Sequence, residues 1–113
     1  MHELGIVFYI IKDVKMAAEE HGVSHVSAVV MDIGEVSTVV PHYLQDCWRW
    51  AADKEEMLTG CELRVNTIPA VTRCGDCHRE YETVRYGKTC PYCQGGNTWL
   101  LRGNEVEIKE IIV

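Results

Sequence analysis

The sequence predicts an α/β (α+β) fold in which two helices cover a small three-stranded sheet and a four-cysteine module is inserted between two of the strands. Three observations predict it. Apolar residues recur at helical spacing over residues 3–20, β-branched residues concentrate in separate short stretches, and Cys74, Cys77, Cys90 and Cys93 form two C-x-x-C pairs twelve residues apart. A chain of 113 residues accommodates one compact core plus a small appended module, whereas two full domains would be crowded.

Leu4, Val7, Phe8, Ile11, Val14, Ala17 and Ala18 mark an amphipathic helix from about Glu3 to Glu20. Glu3 suits its N-terminal end, and His21-Gly22 is the stop. Val23 to Ile33 reads as a strand with Val29, Met31 and Ile33 on one face, ended by Gly34-Glu35. Pro41 opens a second helix that runs to about Asp53, with Leu44, Trp48 and Ala51 or Ala52 on one side. Trp50 lies off that stripe and reads as a partly covered surface aromatic or a protein-contact residue. A second strand spans Cys61 to about Ile68, closed by Pro69. Cys47 and Cys61, remote from the pairs, read as small buried hydrophobes. The cysteine module occupies about Ala70 to Leu100, and a third strand follows from about Glu105 to Val113. Without that last strand the first domain has a poor core. The predicted domains are therefore residues 1–69 plus 101–113 and an insertion at 70–100.

Four thiolates at this spacing can close a tetrahedral site on Zn(II), each pair bending round the ion with a short hairpin between them, which makes the module zinc-ribbon-like. A segment of about thirty residues buries too little apolar surface to fold alone, and metal ligation supplies roughly 10 kcal/mol or more. The zinc is therefore expected to be structural. Rubredoxin-like iron is the minority reading, since Cys90-Pro91-Tyr92-Cys93 resembles one of its knuckles. A C-x-x-C redox pair is weaker still, because two adjacent pairs chelate more readily than they exchange disulfides.

The amino end offers a second site. In Met1-His2-Glu3 the α-amine of Met1, the His2 amide and imidazole Nδ1, and the Glu3 amide can present four nitrogens in a plane, which suits Ni(II) or Cu(II) better than Zn(II). The first amides of a helix have no intrahelical partner and are free for such use. His21, His25 and His42 are read as solvated or locally hydrogen-bonded and are excluded from this site.

Met1-His2-Glu3-Leu4 opening a helix, Asp32-Ile33-Gly34 ending a strand, Gly60-Cys61-Glu62-Leu63 entering one, the two cysteine pairs and a closing strand near Glu107-Ile108-Lys109 together resemble the HypA/HybF family of hydrogenase nickel-incorporation proteins. The resemblance spans essentially the whole chain. It implies a cytoplasmic nickel metallochaperone that serves the [NiFe]-hydrogenase large-subunit precursor, in some organisms urease, and works with the GTPase HypB. It also implies a nickel domain with an inserted zinc domain, transient Ni(II) on Met1, His2 and Glu3, and structural Zn(II) on Cys74, Cys77, Cys90 and Cys93. Some members carry a histidine after each cysteine pair, connected with alternative zinc ligation. Here His78 follows the first pair but Gln94 the second, so a symmetric exchange is not expected.

The net charge of −6 is unevenly spread. Residues 70–100 carry Arg73, Arg79, Arg85 and Lys88 against Asp76, Glu80 and Glu82, which leaves +1 there and −7 elsewhere. With four thiolates on a dication the module moves to about −1, so it lacks the basic face of a nucleic-acid-binding ribbon. Nucleic acid is not an expected partner, and no stretch is long enough to span a membrane. The early apolar run lacks the basic lead of a signal peptide, which favours a reducing cytoplasm. No nucleophile and base pair or phosphate-binding loop stands out, so no enzymatic activity is expected. The competing reading is a zinc-ribbon adaptor that only docks proteins. If the linkers near Pro69 and Gly103 act as hinges, strand exchange would give a homodimer.

Overall fold

The computed structural model describes residues 2–113. The elements run α1 (Glu3–Glu20), β1 (Ala28–Gly34), α2 (Pro41–Ala52), a 3-10 turn at Glu56–Leu58, β2 (Glu62–Ile68), β3 (Val71–Cys74), β4 (Glu80–Glu82), the one-turn α3 (Thr83–Tyr86), β5 (Thr98–Arg102) and β6 (Val106–Ile112). Two three-stranded sheets form, ordered β2-β1-β6 and β4-β3-β5. The predicted class holds: α1 and α2 with a small sheet, and a four-cysteine module between β2 and β6 in chain order.

The chain divides into two compact units. The first comprises the described residues up to Asp32 with Val39–Asn66 and Glu107–Val113. Its core is apolar, with Val7, Ile10, Val14, Val29, Met31, Leu44, Trp48 and Leu58 nearly or completely buried. The buried stripe of α1 is Val7, Ile10, Ile11, Val14 and Ala18, whereas Phe8 is 52% exposed and Leu4 36%. Ile10 stands three and four residues from Val7 and Val14, so the stripe closes through it and Phe8 falls to the flank. The helix stops at the predicted His21-Gly22. Gly22 takes φ +66°, its N–H donates to Glu19 O at 3.2 Å, and the Val23 N–H donates to Ala18 O at 2.8 Å, the paired bonds of a Schellman stop.

β1 begins at Ala28, five residues later than the sequence suggests, and both its faces are covered. Ala28 and Val30 are buried as well as Val29, Met31 and Ile33, so the alternation expected of a one-sided strand is lost. Pro41 does open α2 at its first turn. Buried Trp48 donates its Nε1–H to Cys61 O at 3.0 Å, tying α2 to the entrance of β2.

The second unit comprises Ile33–Thr38 and Thr67–Val106. The stretch between the cysteine pairs forms β4 and α3 rather than the expected self-contained hairpin. β4 pairs antiparallel with β3, Arg73 opposite Glu80, so the hairpin encloses the first cysteine pair instead. β5 pairs on the other edge of β3, Cys74 opposite Thr98. The segments near Pro69 and Gly103 are pinned by the 33–38 segment. The Glu35 N–H donates to Ile68 O and the Val36 N–H to Gly103 O, each at 2.8 Å, and the Ala70 N–H reaches Glu35 Oε1 at 3.0 Å. Gly34 and Gly103 permit this crossing: a Cβ on Gly34 would lie 2.0 Å from Gly103 O, and one on Gly103 would lie 2.4 Å from Ala70 Cα.

Candidate metal centres

The two cysteine pairs adopt the same local fold. The N–H of the first cysteine donates to the carbonyl five residues on, Cys74 to Arg79 at 2.9 Å and Cys90 to Gly95 at 3.0 Å. The residue after each pair donates back, His78 to Cys74 O at 3.0 Å and Gln94 to Cys90 O at 2.9 Å. Both of those residues sit at φ +63°, the left-handed conformation that folds the backbone round the sulfurs. The matching turns bring Cys74, Cys77, Cys90 and Cys93 together with their sulfurs within 4.8 Å of one another. Sulfur contacts of 3.6 Å join Cys74 to Cys93 and Cys77 to Cys90, each across the two pairs.

The cluster sits against buried Tyr81, whose hydroxyl donates to Gly87 O at 2.8 Å. Cys74 and Cys90 are buried, Cys77 is half-buried and Cys93 is exposed. Burial alone would raise the Cys90 thiol, but N–H groups of Cys93 and Tyr92 and the sulfurs of Cys77 and Cys93 outweigh it and lower the group to about 7. At Cys93 the Gly95 N–H favours the thiolate, yet the Cys74, Cys90 and Cys77 sulfurs together with burial push it up to about 12. One thiolate in the cluster thus suppresses the others, and a bound cation is what lets all four ionise together. The donor set is closed, tetrahedral in number and purely sulfur. Such a set fits a thiophilic ion and leaves no open position for substrate.

At the amino end Met1 lies outside the described residues. His2 is the exposed N-cap of α1, and its carbonyl accepts the Ile6 N–H at 3.1 Å. The Glu3 carboxylate accepts the Val40 N–H at 3.2 Å, and that bond is the main reason its pKa falls below the ordinary value. Val40 is the N-cap of α2 and supplies no capping side chain. Local pattern does not announce this link: Tyr43, three residues after Val40, has no carboxylate to take the Val40 N–H as in a capping box, and the acceptor comes from Glu3 far away in sequence.

Of the remaining histidines, His42 has a local partner, whereas His25 bonds across 34 residues rather than locally. His25 Nε2 lies 2.9 Å from Thr59 O, His42 Nε2 lies 3.4 Å from Asp46 Oδ2, and His21 caps α1. His78 is exposed and is not among the clustered ligands. Cys61 is buried as expected, and burial raises its thiol to about 11. Cys47 is only half-buried, in a shallow apolar hollow with Leu4 and Trp50, because it lies on the flank of α2 beside exposed Trp50.

A family model described as hydrogenase/urease nickel incorporation, metallochaperone, HypA matches residues 1–113. The chain belongs to the HypA family. Among HypA relatives, the hydrogenase maturation factor HypA of Geotalea uraniireducens is 33% identical over 113 residues, 100% of this chain and 99% of that protein. The maturation factor HybF of Salmonella typhimurium is 31% identical over 113 residues, with the same coverage. The solution structure of the Ni metallochaperone HypA from Helicobacter pylori matches with a TM-score of 0.72 at 20% identity, covering 99% of this chain and 97% of that one. A second HypA solution structure reaches 0.75 at 21% identity over 99% and 95%. These two structures agree with the HypA fold. HypA proteins are maturation factors, so the chain works with maturation machinery, and no helix among the described residues is long and apolar enough to cross a membrane.

Proposed function

We propose that this HypA-family chain binds Ni(II) transiently at its amino terminus and delivers it to the [NiFe]-hydrogenase large-subunit precursor, or to urease, in concert with the GTPase HypB. The supporting observation is the family match over residues 1–113, which includes both the Met1-His2-Glu3 segment and the cysteine pairs. With Met1 as the terminal residue, its α-amine, the His2 amide and imidazole and the Glu3 amide form the nickel ligands. His2 is exposed at the start of α1 and so accessible to cargo. In this reading residues 1–69 with 101–113 form the nickel domain and 70–100 the zinc domain. Cys74, Cys77, Cys90 and Cys93 hold a structural Zn(II), which their closed sulfur set fits, and the ion supplies cross-linking rather than chemistry. The protein is a cytoplasmic carrier, not an enzyme, and a homodimer is compatible with the role.

Nickel titration of the untagged chain tests this reading, with zinc counted in every sample. His2→Ala, or one residue added before Met1, should abolish stoichiometric nickel binding while zinc content and folding persist. Unchanged nickel affinity in both would refute the terminal site. Binding should also weaken on acidification, because an α-amine with pKa about 8 and an imidazole with pKa about 6.5 must be unprotonated to ligate.

A further inference from the structure

The four clustered sulfurs are not equivalent towards solvent. Cys74 and Cys90, the first of each pair, are completely buried, while Cys93 is exposed. Gly95 leaves the approach to Cys93 open: a Cβ there would lie 3.2 Å from its sulfur. The same Cβ would lie 2.8 Å from Asp76 Oδ2, so a carboxylate flanks the opening and disfavours anionic reagents over neutral ones. The sulfur 3.6 Å from Cys93 belongs to Cys74, on the other knuckle.

We propose that Cys93 is an oxidative modification site, attacked by hydrogen peroxide and resolved by Cys74, so that oxidation joins the two knuckles and discharges the metal. The proposal rests on the reading that this cluster holds Zn(II). The Cys93 thiolate attacks one peroxide oxygen, the O–O bond breaks, and the departing hydroxide takes a proton from solvent to become water. Cys93 is left as a sulfenic acid. The Cys74 thiolate then attacks the Cys93 sulfur, the S–O bond breaks, and the second hydroxide leaves as water with a second solvent proton. Two electrons pass from the two thiolates to the peroxide. The sulfurs need to close only from 3.6 Å to about 2.05 Å. With two of its four ligands removed, the ion is released. Cys77 and Cys90, also 3.6 Å apart, are set to form a second crosslink with a second equivalent of peroxide. Both bonds connect residues already adjacent, so the module keeps its path and a thiol reductant restores metal binding.

The test treats the zinc-loaded full chain, in a Cys47→Ser background, with up to one equivalent of hydrogen peroxide. Zinc release is followed with a chromogenic chelator, sulfenic acid is trapped with dimedone, and disulfides are mapped by mass spectrometry. Dimedone should mark Cys93, and the principal disulfide should be Cys74–Cys93, with one zinc released per crosslink and rebinding after reduction. A principal Cys74–Cys77 or Cys90–Cys93 disulfide, an adduct on another cysteine, or no oxidation where a free-thiol peptide reacts fully would overturn the proposal. Gly95→Ala retains all four ligands and should slow zinc release several-fold at equal starting zinc content; an unchanged rate would refute the access route. Absence of zinc from the purified protein would instead sink the zinc reading, and the same map on the reduced chain after loading with Zn(II) would still decide the sulfur pairing.

Discussion

The two units reach a folded state by different means. The first buries Ile10, Leu44, Trp48, Met31 and Leu58, large side chains whose removal from water contributes about 1.5–3 kcal/mol each. The second buries Thr72, Cys74, Tyr81 and Cys90 around a sulfur cluster, supported by backbone bonds from the 33–38 segment. One is held by apolar area, the other by hydrogen bonds and, in the proposed reading, by the metal its four sulfurs would ligate. Small modules with little core commonly need such a staple. The contrast teaches that a perturbation should be felt in one unit according to what holds it.

The largest effect is expected at the sulfurs. Cys74→Ala should abolish stoichiometric metal and the roughly 10 kcal/mol that ligation supplies. Amide dispersion should then be lost for residues 67–106 and retained for α1 and α2; collapse of both units together would erase the contrast. Next, Trp48→Ala should cost about 3–5 kcal/mol in chemical denaturation, since it removes a buried ring and leaves Cys61 O without its donor. Zinc content should be unchanged in that variant. Gly34→Ala should destabilise by about 1–3 kcal/mol, read as a lower melting temperature, because its Cβ meets the Gly103 carbonyl rather than a yielding side chain.

Smaller effects come from titration. Cys61 has its folded pKa raised from 9.0 to about 11, so its contribution is complete below pH 9 and is lost as pH rises towards 11. Cys61→Ala should flatten that alkaline limb of stability. Glu3 has its folded pKa lowered from 4.5, so its contribution is present above that value and lost as pH falls through the lower folded pKa. Protection of the Val40 amide, taken relative to the intrinsic exchange rate at each pH, should fall on acidification, and in Glu3→Ala at neutral pH; unaffected protection would remove the link between the starts of α1 and α2.

Much of this contrast was legible in the sequence. The span of α1, the Pro41 start of α2, the strand after Cys61 and the clustering of four cysteines all follow from local rules of period, capping and ligand spacing. What escaped depends on tertiary partners. Ile10 replaced Phe8 in the buried stripe because a helix face is selected by what it meets. β1 lost its one-sided pattern because both of its faces became buried, which depends on residues remote in sequence. Val71–Cys74 and Thr98–Arg102 became strands by pairing across more than twenty residues, which no local pattern announces. The unequal burial of the four cysteines is likewise a property of the folded knuckles, not of their spacing.

The chain's three indoles divide between the units in a way that gives each its own optical label. Trp48 is sealed in the apolar core, and Trp50 carries the Lys54 ammonium 3.3 Å from its ring centre. Trp99 lies against the first knuckle, its Cζ3 only 2.9 Å from where a Cβ on Gly75 would stand. Its fluorescence is therefore a native reporter of the sulfur cluster. Substituting a paramagnetic, thiophilic ion such as Co(II) should quench that emission, so the loading of the cysteine unit can be watched through Trp99.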